Sequence, residues 1–398
     1  MTVVVGTVGV LLVVLAFADL VNTLVTTSTS AARAWPSRLV TRTTFTAVRA
    51  VARRLPEGSR VRERLLATFA PLLLLELLVM WATLQLVGFG LLWWSVDGLP
   101  ELGGIPDALY YSGVVFFTVG FGEIVPEAAI PRIGAIAEAF VGVVTIALVI
   151  GYLPSLYSAY SERERALMTL DDGSGDRITP TNLVMAWSPD ADPKKLEQRF
   201  IEWEGWAARI LETHSTLPLL QFFRSHDPRQ HWVTALGLLA DTALHAQFIL
   251  GAYDGRAYWF LRRVAAVFDE LTRGVPEEKL APYRAALPDP NTTDTEEGAR
   301  LFRELYDTLE AHGFDLVPYE IGREHAIAVR ANYAPQMEYL IDQLLTPRGF
   351  WCPERVTVPL LSTTHPEMLD YEPTSHVARR TSDERPAGPL PGGGEDIG

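Results

Sequence analysis

The sequence is short of cysteine, and Cys352 is its single thiol in 398 residues. One thiol cannot form an internal disulfide, and it excludes a metal site built from several cysteines. Lysine is absent from residues 1–160, where ten arginines balance ten carboxylates. The whole net charge of −14 therefore belongs to residues 161–398. The chain divides into a neutral, apolar part and an acidic part that is typical of a water-soluble protein.

Two classes of protein are disfavoured by what is missing. A nucleic-acid binder needs a concentrated basic face, and the acidic balance of the chain provides none. The sequence also contains no nucleophile–base pattern and no glycine-rich phosphate loop following a strand. We therefore predict no nucleic-acid partner, no enzymatic activity and no organic cofactor.

Three long apolar stretches are present, and each is long enough to cross a bilayer as a helix of about 20 residues. We predict transmembrane helices within residues 1–26, 66–94 and 132–157. A cleaved signal peptide is the alternative for the first stretch. It lacks a basic leading segment and a small-residue cleavage site, so a retained helix is favoured.

The charges between these stretches predict their orientation. Residues 27–65 contain nine arginines against two glutamates, whereas residues 95–130 contain five carboxylates and no basic residue. Because arginine-rich loops stay in the cytoplasm, we expect the amino terminus outside and the carboxy terminus inside. The expected location is the plasma membrane, with several spans.

The arginine-rich loop, residues 27–65, has a helical pattern of its own. Arg38, Arg42, Arg49 and Arg53 share one face, and valines and a leucine occupy another. Such a helix suits the surface of an anionic membrane. A topology signal with no lipid contact explains the same residues equally well.

The segment between the second and third stretches is too short to cross the membrane twice. Residues 107–117 predict a short helix, and residues 118–122, Thr-Val-Gly-Phe-Gly, cannot continue it. A helix that enters the membrane and returns as extended chain is tolerated only beside protein or an aqueous path. Gly120 and Gly122 allow alternate residues to adopt conformations that turn successive carbonyls the same way. Such carbonyls can replace the water around a dehydrated cation.

These residues resemble the signature T-V-G-[YF]-G of the potassium channel pore family, and the resemblance extends over residues 66–157. It implies an outer helix at 66–94, a pore helix at 107–117, a filter at 118–122 and an inner helix at 132–157. Glu123, at the filter exit, stands where most members carry aspartate. Because one chain supplies a quarter of the carbonyl ring, the resemblance implies a homotetramer in the lipid bilayer. The implied K⁺ ligands are the backbone carbonyls of Thr118, Val119, Gly120 and Phe121.

Two positions depart from the family pattern. Val114 replaces a glutamate that pairs, in some members, with the acidic residue after the filter. Phe117 replaces a threonine or serine. Phe117 and Glu123 leave a weakly selective cation channel open as an alternative.

Gly142 is the candidate gating hinge, because it lies about twenty residues after the filter, where family members bend their inner helix. Close helix packing also explains a glycine there. Gly151 and Pro154 are alternative bending points.

Carboxylates within apolar spans are functional candidates by default. Glu76 and Glu138 are the candidates for gating or proton sensing, and their positions along their helices predict different depths. Asp19 lies near the end of its span, where we expect it to reach water.

The acidic region follows a polar linker at 158–191. Repeated helical patterns predict a helical cytoplasmic domain at 192–371, and residues 372–398 have the composition of a disordered tail. Four histidines cluster in this domain and suggest either a metal site or a buried aromatic core, the latter being the commoner case. The ligand of this domain is unknown. The clustered histidines are His214, His226, His231 and His245.

The sequence thus predicts an all-α membrane protein with three transmembrane helices, a re-entrant pore loop between the second and third, and a helical cytoplasmic domain. The expected function is passive, potassium-selective conduction with regulation by the cytoplasmic domain. A membrane-anchored signalling or scaffold protein that uses the pore only for assembly is the alternative from another class.

Overall fold

A computed structural model of the chain describes most of the predicted membrane part and most of the acidic region. The predicted tail, Cys352, Asp97 and Glu101 lie outside the described residues, as do residues 171–177 of the predicted linker. The described residues are 2–25, 35–56, 59–96, 102–170, 178–226, 231–251, 255–285 and 296–346.

Helices account for all the regular structure of these ranges. The membrane part contains α1 (Thr2–Leu24), α2 (Trp35–Ala52), α3 (Arg60–Ser95), α4 (Ile105–Phe116) and α5 (Ala129–Leu167). The C-terminal helical region, our name for residues 178–346, contains α6 (Pro180–Trp187), α7 (Pro193–Thr216), a 3₁₀ turn (Pro218–Phe222), α8 (Trp232–Leu244), a π-helical turn (His245–Ile249), α9 (Arg256–Leu271), α10 (Glu277–Ala285), α11 (Glu296–Ala311), α12 (Tyr319–Arg330) and α13 (Ala334–Leu344).

Three helices, α1, α3 and α5, are long and apolar enough to cross a membrane. The predicted class, an all-α membrane protein, is confirmed. With 36 residues, α3 is about 54 Å long, whereas the apolar core of a bilayer is about 30 Å thick. One end of α3 therefore extends well beyond the membrane.

Glycines bring α1 and α3 into close contact. A Cβ at Gly9 would lie 2.4 Å from the carbonyl oxygen of Gly88, and a Cβ at Gly88 would lie 2.8 Å from that of Gly9. Gly6 packs against the Ser95 side chain, whose Oγ would lie 2.5 Å from a Cβ at Gly6. Small residues let membrane helices approach backbone to backbone, so this pairing sets the register of α1 on α3.

The expectation that Asp19 reaches water is wrong. Asp19 is fully buried, and its carboxylate accepts hydrogen bonds from the Trp81 indole (2.7 Å), the Ser37 backbone (3.1 Å) and the Ser37 hydroxyl (2.8 Å). The first turn of α2 folds back over α1 and covers it. A buried carboxylate is tolerated when its lone pairs are satisfied, and these three donors join α1, α2 and α3.

Several helices extend beyond their predicted bounds. The outer helix begins at Arg60 rather than residue 66, and the inner helix runs over Ala129–Leu167 rather than 132–157. The extension of α5 takes in the first part of the predicted linker. Its polar sequence contains Glu162, Arg163 and Glu164, which are good helix formers. Helix α2 occupies much of the predicted arginine-rich loop.

The main hydrophobic core of the C-terminal helical region is built mainly from aromatic and aliphatic side chains of α7, α8 and α9. Trp206, Trp232, Phe260 and Phe268 are almost fully buried in it. A break between α12 and α13 accompanies Pro335, which lies in the first turn of α13, where its missing N–H costs nothing.

The 3₁₀ turn joins this region to the membrane helices. Leu219 and Leu220 pack in one cluster with Leu77 of α3 and with Tyr152 and Leu156 of α5. The C-terminal helical region therefore contacts both the outer and the inner helix directly.

Candidate functional site

Local contacts hold the start and the middle of the short helix α4. Its first turn contains Pro106, and Asp107 accepts a hydrogen bond from the Gly103 backbone at 2.9 Å. A Cβ at Gly90 of α3 would lie 2.7 Å from Leu109, so α4 packs closely against α3. Near the middle of α4, the Ser112 hydroxyl donates to the Leu86 carbonyl at 2.9 Å.

The backbone after α4 takes a left-handed conformation at every second residue. The φ angles are 53° at Thr118, 64° at Gly120 and 82° at Gly122. Alternation of left-handed and extended residues allows successive carbonyls to share one side, whereas the carbonyls of a regular strand point alternately to opposite sides. Thr118 adopts an angle that is uncommon for a residue with a Cβ.

The start of this segment is tied to α4, and its far part is uncovered. The N–H groups of Val119 and Gly120 donate to the Val114 carbonyl at 2.9 and 3.4 Å. Val119 is 50% exposed and Phe121 is 67% exposed in the single chain. Non-helical backbone at membrane depth is tolerated only when protein or an aqueous path surrounds it, so the exposed part of this loop requires such surroundings in a membrane.

Two hydrogen bonds hold the segment that leaves the loop. The Tyr110 hydroxyl donates to Glu123 at 2.8 Å, and Arg132 at the start of α5 donates to the Pro126 carbonyl at 2.9 Å. The hydrogen bond of Tyr110 links α4 to Glu123. Val114, which stands where some channel sequences carry a glutamate, cannot form such a link. The sequence alone does not reveal this partner of Tyr110, because the hydrogen bond depends on how the loop folds back.

Glu138 joins three helices behind this loop. It is fully buried, and its carboxylate accepts hydrogen bonds from the Trp93 indole of α3 at 2.6 Å and from the Ser112 hydroxyl of α4. Sequence reasoning singled out Glu138 but missed both donors. The structure therefore gives Glu138 a role in positioning α4 against the two long helices.

Glu76 has different surroundings. It is partly buried on α3 and accepts a hydrogen bond from the Thr44 hydroxyl of α2 at 2.8 Å. The two candidate carboxylates are therefore not brought together. A part in gating stays a prediction for both.

Gly142 lies against the end of α4. A Cβ at this position would be 2.1 Å from the Phe116 carbonyl oxygen. At Gly151, further along α5, a Cβ would meet nothing within 4 Å, and Pro154 lies in the same helix. Close packing therefore accounts for Gly142, and bending at this residue stays a prediction.

The clustered histidines occupy separate structural positions. Within the described ranges, no group of three or more His, Cys, Asp or Glu side chains could hold a metal ion. Burial lowers the pKa of His214 to about 3 and that of His245 to about 4. His231 caps α8 by accepting from the Val233 backbone, and the His226 backbone donates to Glu164. The buried members are therefore neutral parts of a packed core.

The four arginines of the predicted lipid-facing surface separate into two pairs. Arg49 and Arg53 donate to Asp342 of the C-terminal helical region, at 3.0 and 3.1 Å. Arg38 and Arg42 are exposed near the start of α2. The prediction that all four face lipid therefore conflicts with the structure at Arg49 and Arg53, because the folded C-terminal region carries a carboxylate to them.

Three membrane-spanning helices with a short helix and a left-handed loop between the last two define a membrane protein with a pore loop. Residues 76–158 of this chain match the family described as "Ion channel". The resemblance found in the sequence is thus confirmed for this part of the chain. The match ends before the C-terminal helical region.

Two curated proteins share similarity with the chain. The "Uncharacterized membrane protein YdjJ" of Bacillus subtilis is 27% identical over 188 residues, which are 46% of this chain and 54% of that protein. A Rhodopseudomonas palustris protein named "Putative potassium channel protein" is 35% identical over 63 residues, 16% of this chain and 15% of that protein. The chain thus spans about half the length of the first relative and far less of the second. No solved structure matches.

Proposed function

We propose that this protein is the subunit of a homotetrameric, potassium-selective channel in the plasma membrane. The observation that carries the proposal is the alternation of left-handed residues at Thr118, Gly120 and Gly122. It supports a column of carbonyls from Thr118 to Phe121 that replaces the hydration shell of K⁺. K⁺ is the transported ion, and Glu123 lies where ions leave the column on the outer side.

Four chains are needed to complete such a column. The exposure of Val119 and Phe121 supports assembly, because neighbouring subunits would surround the loop that one chain leaves open. The inner helix has exposed apolar residues along its length, including Ile133, Phe140 and Ile150. Neighbouring subunits and lipid together would cover these side chains.

Regulation by the C-terminal helical region is supported by contacts at the end of α5. The Arg163 guanidinium is buried there and donates to the carbonyls of Leu220 (3.2 Å) and Phe223 (2.8 Å). The neighbouring Glu164 accepts from the Ser225 hydroxyl at 3.2 Å and from the His226 backbone at 2.9 Å. A shift of residues 220–226 would therefore pull on the inner helix, which is the element that opens or closes the pore.

Ion flux from proteoliposomes tests the proposal. Liposomes containing the full chain should release K⁺ much faster than Na⁺ under matched gradients. Gly120→Ala should abolish K⁺ flux while the tetramer persists, because alanine at a φ of 64° is strained by roughly 1–2 kcal/mol. Gly205→Ala in α7 is the matched control, since it lies outside the pore segment and a Cβ there would make only an ordinary contact of 3.6 Å with the Arg209 side chain.

Three outcomes would contradict the proposal. Equal K⁺ and Na⁺ flux would indicate a weakly selective cation channel. Tetramers without flux in both wild type and Gly205→Ala would favour a scaffold that uses the pore for assembly. Full flux in Gly120→Ala would remove the carbonyl column as the conducting element.

A further inference from the structure

A cavity of about 200 Å³ lies where the membrane helices meet the C-terminal helical region. Arg38 and Arg42 of α2 line it together with Thr41, and its apolar wall includes Leu77 of α3 and Phe222 of the 3₁₀ turn. The cavity therefore combines cationic side chains with an apolar surface. No carboxylate is among the side chains that line it.

The cavity lies at the level where the lipid headgroups of one leaflet are expected. Helix α3 ends at Ser95, and about 20 residues of helix span the 30 Å apolar core. Counted back from Ser95, the other boundary falls near Leu77. Helix α1 gives the same level, because Gly6 packs against Ser95 and Thr23, about 25 Å further along α1, lines the cavity.

The two arginines suit a phosphate group. Arg38 and Arg42 are four residues apart on α2, so they lie on the same face of the helix, and both are exposed. A guanidinium presents a planar fork of N–H donors that matches phosphate oxygens. Arg49 and Arg53, further along α2, contact Asp342. Of the four arginines on this face, Arg38 and Arg42 are the pair that lines the cavity.

The start of α2 is firmly anchored. The backbone and hydroxyl of Ser37 donate to the buried carboxylate of Asp19, which also accepts from Trp81. Arg38 therefore follows a residue that is fixed to α1 and α3. A site built on anchored backbone loses less conformational freedom when a ligand binds than a site on a mobile loop.

We propose that this cavity binds the phosphate of an anionic phospholipid from the cytoplasmic leaflet. The phosphate lies between Arg38 and Arg42, and the glycerol and first acyl carbons lie against Leu77 and Phe222. Basic pockets between membrane helices on the cytoplasmic side recognise such headgroups.

The site has a direct structural connection to the inner helix. Phe222 belongs to the same short segment as Leu220 and Phe223, whose carbonyls hold Arg163 of α5. A lipid in the cavity therefore packs against the turn that grips the end of the inner helix. Binding itself does not depend on the proposed conduction, so it can be tested without an ion flux.

Lipid binding to the purified full-length tetramer tests the site. Binding of phosphatidylglycerol and of phosphatidylcholine would be measured by native mass spectrometry for the wild type, R38Q/R42Q and R54Q/R64Q. The control pair removes the same charge from exposed arginines outside the cavity. Arg64 is about 20 Å along α3 from Leu77 in the cavity wall, which exceeds the electrostatic screening length of about 8 Å, so its charge should have little effect on a lipid in the cavity. One basic residue at an anionic surface strengthens binding about fivefold, so R38Q/R42Q should bind phosphatidylglycerol roughly 25-fold more weakly, with the control pair unchanged.

Further arms separate the sources of phosphate and exclude misfolding. Millimolar inorganic phosphate should not displace phosphatidylglycerol, and displacement would assign the site to a free anion instead. R38K/R42K keeps the charge but lacks the planar fork, so its affinity for phosphatidylglycerol should lie between those of the wild type and R38Q/R42Q. An equal loss in R38Q/R42Q and R54Q/R64Q, or equal binding of phosphatidylcholine by the wild type, would overturn the proposal.

Discussion

Replacement of Gly142 by alanine should weaken the contact between the inner helix and the pore helix. The added Cβ would lie 2.1 Å from the Phe116 carbonyl oxygen, 0.9 Å inside the 3.0 Å that real Cβ contacts respect. The oxygen belongs to backbone at the end of α4, so it cannot rotate away as a side chain would. Either α5 or the end of α4 must move, and Thr118 of the loop follows two residues later.

The cost can be separated from helix propensity by a matched variant. Alanine in place of helical glycine gains about 0.5–1 kcal/mol. Gly205→Ala in α7, outside the pore segment, should show this gain alone, because its Cβ would make only an ordinary contact of 3.6 Å with the Arg209 side chain. The difference between Gly142→Ala and Gly205→Ala isolates the steric term, which overpacking data place at about 1–3 kcal/mol.

Thermal unfolding of the tetramer in detergent, followed by size-exclusion chromatography, measures this difference. Gly142→Ala should have the lower Tm, and its K⁺ flux should fall because the loop is displaced. Equal Tm values for the two variants would refute the packing argument. Equal Tm values with altered flux in Gly142→Ala alone would instead support bending at Gly142.

Two further predictions concern buried polar groups. Glu138→Gln should destabilise the tetramer by about 1–3 kcal/mol, because the amide has one acceptor fewer for donors such as the Trp93 indole. Glu76→Gln should lower the Tm less, because Glu76 is only partly buried and accepts from a single hydroxyl. A larger loss of Tm in Glu76→Gln than in Glu138→Gln would contradict this assignment. The C-terminal helical region should lose stability as the pH falls from about 6.5 towards 4. In the folded protein the pKa of His214 is about 3 and that of His245 is about 4, whereas both are near 6.5 in the unfolded chain. Each histidine should therefore cost about 1.4 kcal/mol of unfolding free energy per pH unit in this range. Unfolding in denaturant at pH 7, 6 and 5 measures it, and a flat profile would show that these rings are protonated in the folded protein.

The membrane helices and the pore loop could be predicted from the sequence because their signals are local. A span is a continuous apolar run, and the loop is a short motif in which Gly120 and Gly122 permit positive φ angles. The extent of α5 was underestimated, because the polar residues after Tyr157 end the apolar signal without ending the helix. Contacts with the C-terminal helical region stabilise this part of α5.

The partners of buried polar groups could not be predicted in the same way. Asp19 was expected in water, yet Ser37 and Trp81 enclose it. Ser37 is near in sequence and Trp81 is distant, and only the packing of α1, α2 and α3 brings both to one carboxylate. Helix packing also explains why Arg49 and Arg53 contact Asp342 while Arg38 and Arg42 line the cavity at the start of α2.

By itself the sequence determined the class of this protein: three apolar helices in a neutral segment, a loop whose glycines permit alternating carbonyls, and an acidic helical region. These properties follow from composition and from short-range sequence patterns, and neither depends on which distant residues are in contact. The tertiary structure decided which helices each buried carboxylate joins, why residue 142 is glycine, and which two arginines line the cavity beside Leu77 and Phe222. Each of these depends on atoms far apart in the chain, whose distances are set by helix packing.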